Sequence, residues 1–334
     1  MTPAANADKV FPITTFISDL PSSLTPQLVS SAENDQGSAT RRLVIVGDVH
    51  GMKRSLEALL EKVGFDKDKG DHLILVGDLI NKGPDSPGVI DLVMELGATA
   101  VRGNHDNAVL DAAVEVNTRG DSSMHAGSVS SGTAQVPGTS GADSPSETLA
   151  SDGPEKGAPP EGSLHTRHSE TTYSTARALS APQLDWLAAL PLILRIKLPY
   201  HPASSLNETL IVVHAGLTPG VPLEKQDPHA VMHMRSVTHP PGDEGTFVPA
   251  EASGEEGWAT HWDQWQDQLT TRTTVIFGHD AKRGLQLGSH SIGLDSACLY
   301  GYSLSALIVE STDTGFQHRV VQVKCADTPV APTA

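Results

Sequence analysis

Between residues 41 and 116 the sequence repeats one arrangement three times: a short apolar run, a turn containing glycine, and a segment with apolar residues at helical spacing. In the first unit the run at 43–46 leads into a helical pattern at 52–65. The runs at 72–76 and 99–101 are followed in the same way. Because consecutive strand–helix units pack their helices against a parallel sheet, the repeat predicts an α/β fold.

The second half of the chain is rich in short, β-branched runs. One helix is predicted at SAPQLDWLAALP, with Ser180 as the N-cap and Pro182 in the first turn. Beyond it, PHAVMHMRSV is the only segment with a convincing helical pattern. The remaining runs predict strands of a second sheet that packs against the first; they are LILRIKL, TLIVVHAG, TTVIFGHD, SIGLDSAC, LSALIVE and RVVQVKC.

Composition divides the chain into four parts. Residues 1–40 are rich in Ser, Thr and Pro and are expected to form a loosely ordered leader. Residues 41–326 are predicted to form a single domain, interrupted at 117–170 by a low-complexity insertion of Ser, Gly, Thr, Pro and Ala. Such a composition cannot bury enough apolar surface to offset chain entropy, so the insertion is predicted to be disordered. Residues 327–334 form a tail.

Charge and hydropathy exclude several classes of partner. The 334 residues carry a formal charge of -17, from 40 acidic and 23 basic side chains. An acidic body is not drawn to nucleic acid or to a membrane surface, so no direct nucleic-acid binding is expected. No apolar run approaches the length of a membrane span. Cys298 and Cys325 are interpreted as free thiols, which is compatible with a cytoplasmic location.

Polar residues with metal-binding side chains stand at the ends of five apolar runs, each beside a turn that contains glycine. Glycine lets the backbone turn sharply and lets a ligand approach closely. Oxygen and nitrogen donors without a thiolate suit Zn, Mn, Fe or Co. A single residue of this kind is most often a turn or cap residue, but five such ends in one chain indicate a shared site. They are Asp48 and His50 in GDVHG, Asp78 in GDLINKG, Asn104 and His105 in GNHD, His214 in VVHAG, and His279 in GHD.

These motifs, in this order, resemble the calcineurin-like metallophosphoesterases of the phosphoprotein-phosphatase type. The resemblance implies a four-layer α/β/β/α sandwich with two divalent metal ions at the sheet edges. It assigns Asp48 and His50 to one metal and Asn104, His214 and His279 to the other. Asp78 would bridge them and so belongs to the catalytic centre. The implied reaction is in-line attack on phosphorus by a hydroxide shared between the metals, which leaves the identity of the ions open.

The same resemblance assigns further roles around the metals. His105 matches the general acid of the family, with a purely hydrogen-bonding role as the alternative. Basic side chains in or beside the motifs are candidates for phosphate binding, because the acidic whole requires local cations; they are Lys82, Arg102, Arg235 and Lys282, with Arg283 next to them. Asn81, Asp106 and Asp295 are expected to orient ligands, although a turn-stabilising role explains the two aspartates equally well.

The second motif departs from the protein phosphatases, which carry Asp and Arg where this chain has Asn81 and Lys82. The NKGP form, the MRS segment, GHDAKRGLQ and GLDSACLYGYSLSALIVE look like the ApaH-like branch, which is similar to fungal zinc-dependent endopolyphosphatases. This branch implies hydrolysis of phosphoanhydrides, with inorganic polyphosphate as the leading substrate. The alternatives are dinucleoside polyphosphate hydrolysis, protein phosphatase activity, and a scaffold without turnover. The polyphosphatase resemblance also allows a vacuole-like store as the compartment.

Two smaller signals are interpreted as structural. His229 and His233 have the spacing of helix-borne metal ligands, but no Glu follows the first histidine as in a metalloprotease, so they are predicted to lie on a helix surface. Trp258, Trp262 and Trp265 have the spacing of a helix face packed on the core, which is preferred to a base-stacking role.

Overall fold

The computed structural model describes residues 11–28, 41–124, 167–243 and 245–331. Its strands are β1 (Ile17–Asp19), β2 (Arg42–Val46), β3 (His72–Leu75), β4 (Thr99–Ala100), β5 (Ile193–Lys197), β6 (Thr209–Val213), β7 (Ser236–Thr238), β8 (Val248–Ala250), β9 (Thr273–Phe277), β10 (Gln286–Leu287), β11 (Ser291–Gly293), β12 (Ser303–Thr312) and β13 (Gly315–Lys324). Its α-helices are α1 (Lys53–Val63), α2 (Ser86–Leu96), α3 (Asn104–Met124), α4 (Glu170–Ala178), α5 (Ala181–Ala188), α6 (Pro228–His233) and α7 (Trp258–Asp267).

The first sheet has the strand order β13-β12-β2-β3-β4. Strands β2, β3 and β4 are parallel, as the three strand–helix units predicted. The long hairpin of β12 and β13 adds two antiparallel strands to the β2 edge. Because β2, β3 and β4 run in the same direction, the loops that follow them emerge at one edge of this sheet.

The second sheet has the order β1-β5-β6-β9-β11-β10. Strands β6, β9 and β11 are parallel, while β5 pairs antiparallel with β6. Strands β7 and β8 form a separate two-stranded hairpin. The loops after β6 and β9 lie at a common edge, where they carry two of the predicted histidines.

Three apolar clusters divide the molecule into four layers. Alternate side chains of β2 point to opposite faces of its sheet, as the two-residue period of a strand requires. Val44 and Val46 pack against the helices, whereas Leu43 and Ile45 pack between the two sheets. A third cluster joins the outer face of the second sheet to α6 and α7. The predicted four-layer α/β/β/α sandwich is confirmed.

The predicted helix after the insertion is confirmed as α5. Ser180 is the N-cap that precedes its first residue, and the backbone N–H of Ser180 donates to Oε1 of Gln183 at 2.8 Å. The Trp-containing segment is helix α7, as the spacing of its tryptophans predicted, although it had not been counted among the elements of the second half. Trp258 and Trp262 are buried, so their predicted packing role is confirmed.

The predicted leader and insertion differ from the structure at their edges. Within the leader, β1 pairs in parallel with β5, and Leu20 is buried between the sheets. A three-residue strand is too short to produce a recognisable period. At the insertion, α3 continues to Met124, beyond the predicted boundary at 117, and α4 begins at Glu170. The disorder predicted for the middle of the insertion falls on 125–166, outside the described residues.

The predicted tail is attached to the domain at its beginning. Asp327 is buried and accepts hydrogen bonds from the backbone N–H and the hydroxyl of Ser55, at 2.8 Å and 2.6 Å. The backbone N–H of Val330 donates to the carbonyl of Leu299 at 2.9 Å. These contacts join distant parts of the sequence, which local composition does not reveal.

The interpretation of Cys298 and Cys325 as free thiols is wrong for this structure, which joins them in a disulfide with their Cα atoms 5.5 Å apart. The hairpin of β12 and β13 returns the chain to its starting edge and so brings the two residues together. Their sequence separation of 27 residues does not predict this pairing.

Of the helices that the structure describes, not one combines the length and the apolar character needed to cross a membrane.

Candidate active site

The predicted metal-binding side chains meet at the carboxyl edge of the two sheets. Potential ligand atoms of Asp48, His50 and Asp78 form one group, in which all three side chains are buried. Asp78, His214 and His279 form a second buried group. The first three residues follow β2 and β3 of one sheet, and the last two follow β6 and β9 of the other. The site therefore spans the interface of the two sheets.

Asp78 belongs to both groups. Its Oδ2 lies 3.5 Å from Nε2 of His50, and its Oδ1 lies 3.4 Å from Nε2 of His214. Its Oδ1 also accepts a hydrogen bond from the backbone N–H of His105 at 2.9 Å. One carboxylate thus presents an oxygen to each side of the site, as a bridging ligand must.

Asn104 completes the second group. Its Oδ1 lies 2.9 Å from Nε2 of His214, and that nitrogen lies 3.1 Å from Nδ1 of His279. The opposite nitrogen of each histidine faces a backbone carbonyl: Nδ1 of His214 faces Val76 at 3.1 Å, and Nε2 of His279 faces His233 at 3.1 Å. Carbonyl partners of this kind orient metal-binding histidines and fix which nitrogen is free.

Three of these residues adopt backbone conformations that L-residues rarely occupy. The φ angles of His50, Asp78 and His279 are 47°, 49° and 69°. Positive φ at a residue with a Cβ costs about 1–3 kcal/mol and persists only where the surroundings impose it. The fold therefore holds these side chains in place at a cost to its own stability, which is typical of functional sites.

Two glycines allow the loops to approach each other. A Cβ at Gly103 would overlap Oδ1 and the backbone nitrogen of Asp78, and a Cβ at Gly278 would overlap Oδ1 of Asp48. The backbone N–H of His279, one residue further on, donates to Oδ2 of Asp48 at 3.1 Å. Gly103 thus lets two loops of the first sheet come into contact, and Gly278 lets a loop of the second sheet contact one of the first.

The environment sets the charge states of the ligands. Burial lowers the pKa of His50 to about 3 and the pKa of His279 to about 2. Both imidazoles are consequently neutral near pH 7, the form that binds metals. Burial would raise the pKa of Asp78, but His214, His105 and His50 outweigh it and hold that pKa well below its usual range. Burial, with Asp295 and Asp78 nearby, raises the pKa of Asp48.

The donor set fits a pair of divalent ions. Two carboxylates, three imidazoles and an amide oxygen offer the oxygen and nitrogen ligands that Zn, Mn, Fe and Co accept. Within the described ranges, Nδ1 of His50 is buried without a hydrogen-bond partner. A buried polar atom left unpaired is costly, and a metal ion or an ordered water beside Nδ1 would satisfy it.

His105 lies beside the two groups and lines the same cavity. Its Nδ1 is 3.2 Å from Nδ2 of Asn81, and its Nε2 is 2.8 Å from Nζ of Lys82. Nδ2 of Asn81 also donates to Oγ1 of Thr172 at 3.1 Å. Burial lowers the pKa of His105 below its ordinary value. An amide and an ammonium group thus position the ring of the predicted general acid.

Asp106 and Asp295 lie behind the ligands. Asp106 accepts from the backbone N–H groups of Leu79 at 3.0 Å and Gly103 at 2.9 Å, so it ties the loop of Asp78 to the start of α3. Asp295 accepts from the backbone of Ala297 at 3.0 Å and also lines the cavity. Burial raises the pKa of Asp106 to about 7 and that of Asp295 to about 6.

Of the predicted phosphate-binding residues, Lys82, Arg235 and Lys282 line the cavity, as does Arg283. Arg102 does not, and that prediction is corrected. The Arg102 side chain is fully buried. It donates to Oδ1 of Asn107 at 3.2 Å and to the carbonyl of Ala188. Its position next to a motif in sequence did not reveal that the side chain turns towards α5.

The cavity has a volume of about 910 Å³ and extends well beyond the metal-binding groups. Its lining also includes Tyr300 and Tyr302, which the sequence motifs did not single out. Both tyrosines fall inside a segment quoted for its resemblance, but no chemical signal singled them out. Thr172 was also missed, because it reaches Asn81 from beyond the insertion.

The paired histidines of α6 have no part in the metal-binding groups. The rings of His229 and His233 stack with their centroids 4.0 Å apart. His229 is exposed and contacts Oε1 of Glu251 at 2.8 Å. The prediction that they lie on a helix surface is confirmed.

A family model described as calcineurin-like phosphoesterase matches residues 41–283. The chain belongs to this family. Membership explains why the motifs lie on loops from both sheets, since the matched region begins at β2 and ends after β9.

Two curated relatives of this family resemble most of the chain. The symmetrical bis(5'-nucleosyl)-tetraphosphatase of Nitrosospira multiformis is 29% identical over 311 residues, covering 84% of this chain and 94% of the relative. The zinc-dependent endopolyphosphatase of Saccharomyces cerevisiae is 25% identical over 304 residues, covering 86% and 82%. Serine/threonine-protein phosphatase 1 of Salmonella typhimurium is 47% identical over 72 residues, but the match spans only 33% of that protein and 22% of this chain.

Among solved structures, one provisionally assigned as a diadenosine tetraphosphatase has a TM-score of 0.58 and 29% sequence identity to this chain. The alignment covers 93% of this chain and 98% of the other. The chain is therefore a metallophosphoesterase whose relatives include hydrolases of phosphoanhydrides.

Proposed function

We propose that the protein is a binuclear metal hydrolase that cleaves the phosphoanhydride bonds of a linear chain of phosphates. The observation that carries this proposal is the position of Asp78, whose two oxygens face two separate groups of buried ligands. Asp48 and His50 would hold one ion, Asn104, His214 and His279 the other, and Asp78 both. When bound, two divalent ions activate a water and neutralise charge on the phosphate oxygens.

The protein's own residues would bind the phosphates and handle the proton. Lys82, Arg235 and Lys282 line the cavity and can pair with nonbridging phosphate oxygens. These cations would attract the phosphates locally, whereas the chain as a whole carries a net charge of -17. His105, which contacts Asn81 and Lys82, would give a proton to the leaving oxygen. Asp106 and Asp295 would hold the ligand loops in register.

Two substrate classes contain the required phosphate chain. Inorganic polyphosphate was favoured by the sequence, and the similarity to the yeast endopolyphosphatase supports it. A dinucleoside tetraphosphate is the second candidate, supported by the full-length relatives named for that substrate. The short match to a protein phosphatase is weaker support for phosphoprotein hydrolysis, which Asn81 and Lys82 also disfavour. A scaffold without turnover is disfavoured because all the expected ligand positions are filled.

The experiment is hydrolysis of polyphosphate, diadenosine tetraphosphate and a phosphopeptide by the full chain, supplied in turn with Mn, Zn, Co and Mg. Asp78→Asn and His279→Ala are expected to lower the rate on the preferred substrate by about 100-fold or more, because outer-shell partners of metal ligands already contribute about 10- to 100-fold. His318→Ala on β13 is the matched control and is expected to retain activity. Unchanged turnover in either site variant would refute the proposal.

The compartment is a separate proposal. We propose the cytoplasm as the location, in which case the Cys298–Cys325 disulfide would form only outside that reducing compartment; a vacuole-like store, which would preserve the disulfide, is the alternative. The pair Cys298 and Cys325 distinguishes them, because the cytosolic thiol pool keeps cysteines reduced whereas oxidising compartments preserve disulfides. Labelling of free thiols in freshly lysed cells measures the difference: two labelled cysteines support the cytoplasm, and an intact disulfide opposes it.

A further inference from the structure

Asn81 connects the predicted general acid to a more distant part of the fold. Its side chain is buried, and its Oδ1 accepts the backbone N–H of Lys82 at 2.9 Å. That bond fixes which way the amide points, because an amide turned over would set its NH₂ group against another N–H. The two N–H bonds of Nδ2 are left for Nδ1 of His105 at 3.2 Å and Oγ1 of Thr172 at 3.1 Å. Asn81 therefore joins His105 to Thr172.

Thr172 is held in place by the start of α4. It is 4% exposed and is the third residue of the helix. Its backbone N–H donates to Oγ of the N-cap residue Ser169 at 3.2 Å, and its own Oγ1 lies 2.9 Å from the same oxygen. A hydroxyl that accepts from Asn81 can give its own hydrogen to this serine. The cap of the helix thus fixes the position of the acceptor for Asn81.

Helix α4 is in turn attached to the helix that carries the acid. His105 is the second residue of α3, and Glu115 lies further along the same helix. Oη of Tyr173, the neighbour of Thr172, donates to Oε2 of Glu115 at 2.6 Å. The side chain of Tyr173 is buried in the apolar cluster to which α3 also contributes. A helix from beyond the predicted insertion therefore has a fixed position relative to His105.

We propose that Thr172 is a positioning residue for His105: by accepting a hydrogen bond from Asn81, it keeps that amide on Nδ1 of the histidine and so fixes where Nε2 points. The proposal rests on the proposed function, in which His105 gives a proton to the leaving oxygen. Without the hydroxyl, a buried N–H of Asn81 would lose its partner, which is costly enough to turn the amide towards another acceptor. The ring of His105 would then lose its contact at Nδ1 and become free to rotate.

The test removes the hydroxyl of Thr172 and keeps the shape of the side chain. Rates are measured on inorganic tripolyphosphate and diadenosine tetraphosphate with the manganese-loaded full chain. Thr172→Val is expected to lower kcat on the cleaved substrate by about 10- to 100-fold, because a small displacement of a catalytic group has effects up to that size. KM should stay the same, since Thr172 does not line the cavity. Thr172→Ser keeps the hydroxyl and is expected to keep the wild-type kcat.

A double-mutant cycle separates positioning from a merely structural role. In the His105→Ala background, Thr172→Val is expected to lower kcat no further, because its effect passes through the histidine. Thr175→Val is the matched control on the same helix. Thr175 is also buried, but its hydroxyl donates within the helix, to the carbonyl of Thr171 at 2.9 Å, so this variant should keep the wild-type kcat. Thr172→Ala, which favours a helix, replaces Thr172→Val should the latter not fold.

The results distinguish this inference from the proposed function. The positioning role would be overturned by an unchanged kcat in Thr172→Val, by an equal fall in Thr175→Val, or by a further fall in the His105→Ala background. Phosphoanhydride hydrolysis would still stand in each of these cases. A wild-type chain that cleaves neither substrate, or a His105→Ala variant with unchanged kcat, would overturn the proposed proton transfer and this inference together.

Discussion

His105 is positioned differently from a histidine paired with a carboxylate. Its ring nitrogens face the amide of Asn81 and the ammonium group of Lys82, at 3.2 Å and 2.8 Å. Burial lowers the pKa of His105, so the ring is protonated near pH 7 only when an anionic group faces it. The acid role proposed for this residue therefore requires the phosphate chain of the substrate beside the ring.

We therefore predict that His105→Ala slows cleavage most for poor leaving groups. The expected loss in kcat is about 10²–10⁴-fold for a leaving group of high pKa, the range of general acid catalysis. A leaving group of low pKa needs little protonation, so the loss should shrink there. Steady-state kinetics on a series of aryl-substituted phosphoesters or anhydrides measures this slope. An equal loss across the series would remove the acid role from His105.

Gly278 allows a second residue-scale prediction. A Cβ at this position would overlap Oδ1 of Asp48, so Gly278→Ala must displace the carboxylate from its place. We expect bound metal and activity to fall by at least about tenfold, as for changes around metal ligands. Gly245→Ala is the control, because a Cβ there meets only the flexible Asp243 side chain at 3.5 Å. Metal content measured after desalting decides; equal occupancy in both variants would contradict the prediction.

The clustering of the candidate metal ligands could be predicted because each follows an apolar strand and stands beside a glycine-containing turn. Asp48, Asp78 and His279 were found this way without any knowledge of the contacts between them. Thr172 could not be predicted, because it contacts Asn81 from a distant part of the sequence. Arg102 was predicted wrongly because it lies beside a motif in the sequence. Its side chain is fully buried and does not line the cavity.

At the scale of elements, the period of each apolar run was sufficient to predict the long strands and most of the helices. The pairing of the hairpin was not predictable from spacing. Strand β12 lies between β2 and β13, and its hairpin with β13 places Cys298 against Cys325. Strand β1 was not predicted either, because its three residues are too few to show a period.

The disulfide supplies the prediction at this scale. Replacing both cysteines, as Cys298→Ser with Cys325→Ser, is expected to lower the free energy of unfolding by about 2–4 kcal/mol, the usual contribution of a native disulfide. Guanidinium denaturation with and without a reductant measures it. The wild-type chain should lose stability in reductant, whereas the double variant should not respond. A wild-type chain that ignores reductant would contradict the disulfide.

In the whole molecule, the candidate active site lies where the two sheets meet. Neither sheet alone holds a complete set of ligands: β2 and β3 deliver Asp48, His50 and Asp78, and β6 and β9 deliver His214 and His279. The apolar layer between the sheets, with Leu43 and Ile45 at its centre, fixes the distance between the two halves of the site. Because the two sheets must pack together to bring these loops into contact, the site depends on the whole sandwich. Each ligand was nevertheless recognisable in a separate loop.

Anomalous diffraction from crystals grown with manganese, recorded on both sides of the metal absorption edge, tests this arrangement most directly. Two anomalous peaks are expected about 3.5–4 Å apart, as in two-metal hydrolases, with one oxygen of Asp78 directed at each. A single peak, or peaks away from Asp78, would contradict it.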